Sequence, residues 1–404
     1  MNNYYDIIIT GAGCAGLSLV HHLLQSPSLQ IKRVLLLDYA SKDQNDRTWC
    51  FWTKQIPNYH SAQQHSWQSL LFRGESTEKT QDINPYKYVH VRGEHFYQEV
   101  LHSIEQNPNV LFKREKVSKI LSTESNVVVS TSKDTYISDY VFNSIPALNI
   151  QSYSGKISTK QHFLGYFIET KEDVFDESQA ILMDFQVTQQ EQTRFFYVLP
   201  FSKNKALVEF TVFSDKLLHQ DEYKQVLNNY LSQNLALGDY HITEEERGAI
   251  PMSNALVEVN PQERIFHLGT AGGMTKATTG YTFRNIQLAC RNLIMNWEKD
   301  GKPQFTLKKP RRFRFYDTLL LYIIKYHGIR VATIMECLFV RNKFQMVLKF
   351  LDEETSLWEE LKLFLKLPFK PFLKAIYHVY LQPKTNPKKR KNWRRKLVGN
   401  TSNI

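Results

Sequence analysis

At 404 residues, with 42% apolar and 13% aromatic side chains, the chain suffices for one large domain or two fused domains around a real core. Its four cysteines, Cys14, Cys50, Cys290 and Cys337, lie far apart and show no metal-type pairing, so no metal site is expected and packing roles are. The net charge of +11 gathers in runs at Lys308 to Arg314 and Lys384 to Lys396; no nucleic-acid fold accompanies them, so nucleic acid is not expected as a partner.

The polar first residues lead straight into a strand, so neither a signal peptide nor a preceding domain is expected. From Tyr5 the chain reads YDIIITGAGCAGLSLV. The apolar run Ile7-Ile8-Ile9 ends in a turn holding Gly11, Gly13 and Gly16, a helix-compatible segment runs to Leu24, and Val34 to Leu37 closes on Asp38. This strand–turn–helix–strand order is what a dinucleotide needs. Gly11 permits the tight turn, Gly13 lets backbone approach a pyrophosphate, and Gly16 lets helix and strand pack closely. The helix N-terminus offers N–H groups to the phosphates. Asp38, about 20 residues beyond the glycines, suits the ribose hydroxyls.

After a polar loop comes Asp46-Arg47-Thr48-Trp49-Cys50-Phe51-Trp52, whose aromatics read as a core plug or as a wall facing a ligand. Arg92 precedes a helical pattern over Phe96 to Ile104 and can reach a phosphate or the edge of a flavin, or serve the surface. Short strands are expected at Val110 to Phe112, Val117 to Leu121, Val127 to Ser130 and Tyr140 to Asn143. Phe163 to Glu169, Ala180 to Phe185, Phe195 to Leu199 and Lys205 to Phe213 then alternate as an antiparallel sheet, and Leu217 to Leu235 reads as helical.

A further strand, Ile265 to Leu268, enters Gly269-Thr270-Ala271-Gly272-Gly273. A second small-residue turn, Thr278-Thr279-Gly280, opens a helix from Tyr281 to Trp297 that Gly301 and Pro303 terminate. Such N–H clusters can hold a phosphate and the anionic edge of a reduced flavin. Phe313 to Tyr380 reads as an aromatic-rich helical cap.

The longest apolar stretch, Leu319 to Val340, is broken by Lys325, His327, Arg330 and Glu336, so no transmembrane helix is expected. In Leu361 to Leu381, lysines interleave with Phe, Leu and Tyr, a pattern suited to an anionic membrane surface. The expected location is peripheral, on the cytoplasmic side of a membrane.

Three stretches, DRTWCFW (46–52), YVLPFSKNKALVEFT (197–211) and GTAGGMTKATTGYTF (269–283), resemble the lycopene cyclase family of carotenoid biosynthesis, and FLDEETS (350–356) resembles its C-terminal region. The resemblance covers most of the chain except the basic tail. It implies an α/β (α+β overall) architecture like that of the flavin hydroxylases, with a Rossmann-type FAD-binding domain, a sheet-based substrate domain and a C-terminal helical cap. The division expected is 1–60, 88–150 and 255–303 for the FAD domain and 61–87 with 151–254 for the substrate sheet. Residues 304–383 form the helical region and 384–404 a basic, disordered tail. Two hydroxylase features are missing: Thr270 replaces the usual Asp, and no Asp-Gly pair stands near Asn143-Ser144-Ile145-Pro146.

The resemblance further implies cyclisation of the ψ-ends of lycopene to β-ionone rings without net oxidation, using reduced FAD with NAD(P)H as reductant. Glu209 becomes the expected proton donor. It matches the family's acidic position, and alternation puts it on one face with Leu207 and Thr211, where an apolar setting raises a carboxyl pKa. Asp46 is expected to orient or relay the proton, and Glu353 is a further acidic candidate. Trp49, Phe51, Trp52, Tyr197 and Tyr281 are expected to line the substrate path, ring faces stabilising a carbocation. Gly11, Gly13, Gly16, Asp38, Arg92, Gly269, Thr270, Ala271, Gly272, Gly273, Thr279 and Gly280 are expected at the cofactor. A flavin monooxygenase or prenyl-lipid reductase of the same fold, and a non-catalytic flavin carrier, are the competing readings.

Overall fold

A computed structural model describes residues 3–55, 63–146, 157–305 and 310–382. The basic tail and Lys308 and Lys309 of the Lys308–Arg314 run lie outside these residues.

Tyr4–Thr10 is the centre of the first sheet. It pairs in parallel with Val34–Asp38 on one side and Thr135–Asn143 on the other, with Ile7 opposite Val34 and Thr10 opposite Asn143. Val110–Arg114 extends one edge in parallel, and Ile265–His267 adds beside Thr135–Asn143. An antiparallel wing, Val127–Thr131 and Val117–Ser122, completes the sheet. The continuous apolar run follows from burial on both faces. Ile7, Ile9, Leu36 and Phe142 pack under the helices Cys14–Leu24, Gly93–Glu105 and Phe283–Asp300, while Ile8, Leu35 and Leu37 pack with Val127, Val129 and Tyr136.

The second sheet runs in the order Tyr240–Ser253, Ser158–Thr170, Lys205–Ser214, Thr193–Ser202, Gln179–Asp184, Ser69–Arg73 and Glu78–Asp82. All its pairings are antiparallel except that of Gln179–Asp184 with Ser69–Arg73. One face carries Val208, Phe210 and Val212 against the helix Gln220–Asn229. The other carries Leu207 and Phe213. It packs against the C-terminal helices, from Arg311–Tyr326 to Phe369–Ile376, and against Trp52, Trp67 and Tyr88 of a small sheet. That small sheet joins Thr48–Thr53, Lys87–Arg92 and Gln63–Trp67, and it bridges the two larger sheets.

Two features depart from the sequence reading. The late helix begins at Phe283, because Gly280 adopts φ +71° and holds Tyr281 and Thr282 outside the helical turn. Gly301, at φ +70°, ends it as expected. The 14-residue strand Tyr240–Ser253 has no counterpart among the expected elements. It is a strand because it lies along the sheet edge, where one face is solvated.

Candidate active site

The first glycine turn is built by close approaches. Gly11 takes φ +93°, and a side chain at Gly16 would overlap the Gly11 carbonyl oxygen. Gly13 differs: a Cβ there would meet nothing within 4 Å, so the helix start faces open space. That helix has no side-chain cap and no acidic residue in its first turn, so its N–H groups face that space without a competing anion. Asp38 Oδ2 accepts from the Ala12 N–H at 2.6 Å, Oδ1 accepts from the Ala40 N–H at 2.9 Å, and Lys42 stands 3.3 Å away. A carboxylate offers about four lone-pair sites, so one remains for a hydroxyl.

The late glycine turn closes on the first. Gly269, at φ +58°, lies so close to the early helix that a Cβ would come 2.9 Å from the Ala15 Cβ. Thr270 and Gly273 are exposed and Ala271 half-buried at the surface of this turn, while a side chain at Gly272 would strike the His267 carbonyl. Thr279 Oγ1 accepts weakly from the Tyr281 N–H at 3.4 Å. Gly280 abuts Gln161 of the second sheet, where a Cβ would lie 2.8 Å from Oε1. The two turns thus form one backbone-lined cradle that adjoins the second sheet, and an elongated phosphate-bearing cofactor fits it.

Strand alternation divides the aromatic stretch. Trp49 and Phe51 face the first core, where Phe51 stacks on Phe283 at 4.8 Å and Trp49 lies 5.3 Å from the same ring. Thr48, Cys50 and Trp52 face the second sheet. Trp52 meets Tyr281 edge-on at 4.6 Å, and Thr48 Oγ1 donates to Glu246 Oε2 at 2.6 Å.

On that second sheet one cross-strand row reads Glu246, Gly165, Glu209, Tyr197, since Gly165 pairs with both glutamates and Glu209 pairs with Tyr197. Glu209 is 9% exposed and accepts from Thr211 Oγ1 at 2.7 Å, on the face expected from alternation. Burial first, then the charge of Glu246, pushes its carboxyl up to about 8. Burial also pushes Tyr197, Tyr281 and the Cys50 thiol upward, so the groups around Glu209 stay neutral near pH 7. A buried carboxylic acid facing rings and neutral hydroxyls is equipped to give a proton to a weakly basic carbon.

Other expected residues are tied to partners of their own. Asp46 is exposed and accepts from Tyr97 Oη at 2.7 Å, behind the aromatic strand. Arg92 donates to Glu244 Oε2 at 2.7 Å and lies 5.3 Å from the Phe167 ring, which ties it to the sheet edge. Glu353 pairs with the buried Lys276 at 2.8 Å and lines a cleft with Phe51, Trp52 and Tyr281.

The sequence reading did not include Glu246, Gly165 or Asp352. Alternation of the glutamates in TEEER would have put Glu244 and Glu246 on one face. Asp352, the neighbour of Glu353, lines a cleft with Phe51, Trp52, Lys276, Tyr281 and Arg284. Burial pushes its carboxyl up to about 7 even though Arg284 lies 3.4 Å away.

The chain is similar to several known proteins. A lycopene beta-cyclase of Pantoea ananas is 25% identical over 296 residues, 70% of this chain and 72% of its own. A chloroplastic neoxanthin synthase of Solanum tuberosum is 25% identical over 310 residues, 70% of this chain and 59% of its own. Among solved structures, a flavoprotein/dehydrogenase from Cytophaga hutchinsonii superposes with TM-score 0.60 at 11% identity, covering 86% of this chain and 92% of that one. A geranylgeranyl bacteriochlorophyll reductase-like protein from Thermoplasma acidophilum gives 0.55 at 12% identity, covering 94% and 97%. Halogenase PltM in complex with phloroglucinol and FAD gives 0.51 at 13% identity, covering 82% and 76%. The fold is therefore that of the Rossmann-type flavoproteins. Residues 6–377 match the sequence profile described as lycopene cyclase protein, and the chain belongs to that family.

Proposed function

We propose that the protein is a lycopene beta-cyclase: it converts the ψ-ends of lycopene to β-ionone rings, giving γ-carotene and then β-carotene, with no net redox change. The observation that carries this reading is Glu209, buried on the face where the second sheet meets Trp52, Tyr197 and Tyr281, with its carboxyl pushed upward by that burial.

Glu209 gives its proton to the terminal alkene, the resulting cation closes the ring, and loss of a proton from the ring restores the neutral hydrocarbon. Thr211 fixes one oxygen of Glu209 so that the other bears the proton. Trp52 and Tyr281 present π-electrons to the cation and shut out water that would quench it. The cradle formed by Gly11, Gly13, Gly16, Asp38 and the late turn Gly269 to Gly280 would hold FAD. Bound there in its reduced form, with NAD(P)H as reductant, FAD would supply negative charge to offset a cation.

The hydrocarbon substrate resides in a bilayer, and the C-terminal helices offer a surface for one. Leu361, Leu365, Phe369, Leu373, Tyr377 and Leu381 are exposed and spaced four apart, and the exposed lysines Lys362, Lys366, Lys370 and Lys374 follow the same spacing. Among the described residues no helix is long and apolar enough to cross a membrane. We read this face as a peripheral contact with anionic lipid on the cytoplasmic side.

The test is anaerobic incubation of the purified protein with chemically reduced FAD and lycopene in liposomes. A cyclic product of unchanged mass supports the cyclase. A product heavier by hydrogens would assign the protein to prenyl-lipid reduction instead, and one heavier by oxygen, formed only in air, to monooxygenation.

A further inference from the structure

Gly165 is the one position in the row Glu246, Gly165, Glu209, Tyr197 without a side chain, and the strands on either side place a carboxyl group over it. A Cβ on Gly165 would lie 3.2 Å from Glu246 Cγ, 3.4 Å from Glu209 Cβ and 2.9 Å from Leu207 Cδ1. The absent side chain is what lets two carboxyls from strands that do not pair with each other come within hydrogen-bonding reach. Each has one oxygen fixed by a threonine: Thr211 donates to Glu209 Oε1 at 2.7 Å and Thr48 donates to Glu246 Oε2 at 2.6 Å.

We propose that Glu246 is a positioning residue for the cyclisation acid: it shares one proton with Glu209 across the gap at Gly165 and holds that proton on Glu209. This rests on the cyclase reading above. Among the described residues, the other groups facing the pair leave Glu209 and Glu246 as the unneutralised acids there. Tyr197, Tyr281 and Cys50 are neutral, and the nearby Glu244 is paired with Arg92 at 2.7 Å. Two like charges so close in a buried site do not both ionise readily, so one proton stays on the pair well above the usual carboxyl range. Glu246 has the greater access to solvent and takes the charge; Glu209, more deeply buried, keeps the proton and donates it to Glu246.

The chemistry balances within the pair. The Glu209 O–H bond breaks as a C–H bond forms at the alkene, which leaves two carboxylates facing one carbocation. The electrons of a neighbouring C=C bond then close the ring as a new C–C bond and leave the cation on a ring carbon; a C–H bond beside it breaks, its electrons become the ring double bond, and the proton returns to Glu209. No oxidant, reductant or further acid is consumed.

The test is an infrared pH titration of the carboxylic C=O band in the purified full chain, which needs no substrate. It compares the unaltered protein with Glu246→Gln and Gly165→Ala; Glu209→Gln assigns the band by removing it. The proposal expects the Glu209 band to persist to near pH 8 in the unaltered chain. It expects the titration to fall by about one pH unit or more in Glu246→Gln, where no second charge opposes ionisation. Gly165→Ala, which pushes the carboxyls apart, moves it the same way, so the test survives if one variant misfolds. In a cyclisation assay the alkaline limb of the rate profile falls with the band. A band and limb unmoved by both variants overturns the pair even if cyclisation proceeds. A band that moves as expected in a protein that cyclises nothing upholds the shared proton and removes the cyclase reading.

Discussion

Lys276 donates to Glu353 Oε1 at 2.8 Å, and this contact ties the late glycine turn to the C-terminal helices. Burial works against the lysine's charge, but Asp317 at 3.1 Å and Glu353 together outweigh it. Glu353 therefore has a cation for a neighbour, whereas Glu209 has rings and a second acid.

Lys276→Met should leave two half-buried carboxylates without their buried cation, at a cost of about 3 kcal/mol in urea unfolding. Adding Glu353→Gln should recover part of that loss. If the single variant is as stable as the unaltered chain, the bridge does not hold the helical region in place.

The glycine cradle gives two opposite expectations at neighbouring positions. Gly16→Ala drives a methyl group into the Gly11 carbonyl and should destabilise the apoprotein by about 1–3 kcal/mol. Gly13→Ala meets no neighbour and has an extended backbone that any residue adopts, so stability should change by less than about 0.5 kcal/mol. Its methyl group enters the space above the helix start, so FAD affinity, read by flavin fluorescence, should fall about tenfold or more. Unchanged affinity in Gly13→Ala would place the pyrophosphate elsewhere.

Ionisation of Glu209 makes stability depend on pH. Its carboxyl binds a proton in the fold up to about pH 8, whereas the unfolded chain releases it near the ordinary glutamate value. Between those values the folded state binds more protons, so stability declines as pH rises, by roughly 1 kcal/mol per pH unit, and levels off above pH 8. Glu209→Gln removes this slope and should raise the melting temperature at pH 8 more than at pH 5. Equal changes at both values would mean that Glu209 is ionised in the fold.

Replacing Leu365, Phe369 and Leu373 together by glutamate should leave folding unchanged, because all three are exposed, and abolish flotation with anionic liposomes. The unaltered chain should float less at high salt, as the lysines demand. Salt-independent binding that survives the triple change would move the membrane contact to another face.

How much of this was legible in the sequence depended on range. The Gly11 to Asp38 turn could be read because strand, turn and helix are contiguous, and the alternation about Glu209 correctly set it beside Thr211. Glu246 could not: it lies on a strand whose polar alternation belongs to a solvated edge, and only the pairing of Gly165 with both neighbours puts the carboxyls together. Trp49, Phe51 and Trp52 read as one aromatic wall, yet strand parity sends the first two into the flavoprotein core and the third toward Tyr281. Among three consecutive carboxylates, the sequence had no way to tell that Asp352 docks beside Trp52 while Glu353 turns to Lys276. Docking of distant elements decides that.

The central claim is that Glu209 supplies the proton. It is tested most directly by the carotenoid profile of lycopene-accumulating cells expressing the chain or its Glu209→Gln variant, with both proteins shown to be folded and flavin-bound. The account predicts bicyclic product of unchanged mass from the unaltered chain and only lycopene from the variant. Equal amounts of cyclic product from both would contradict it and leave the acid to be found among the other groups of the site.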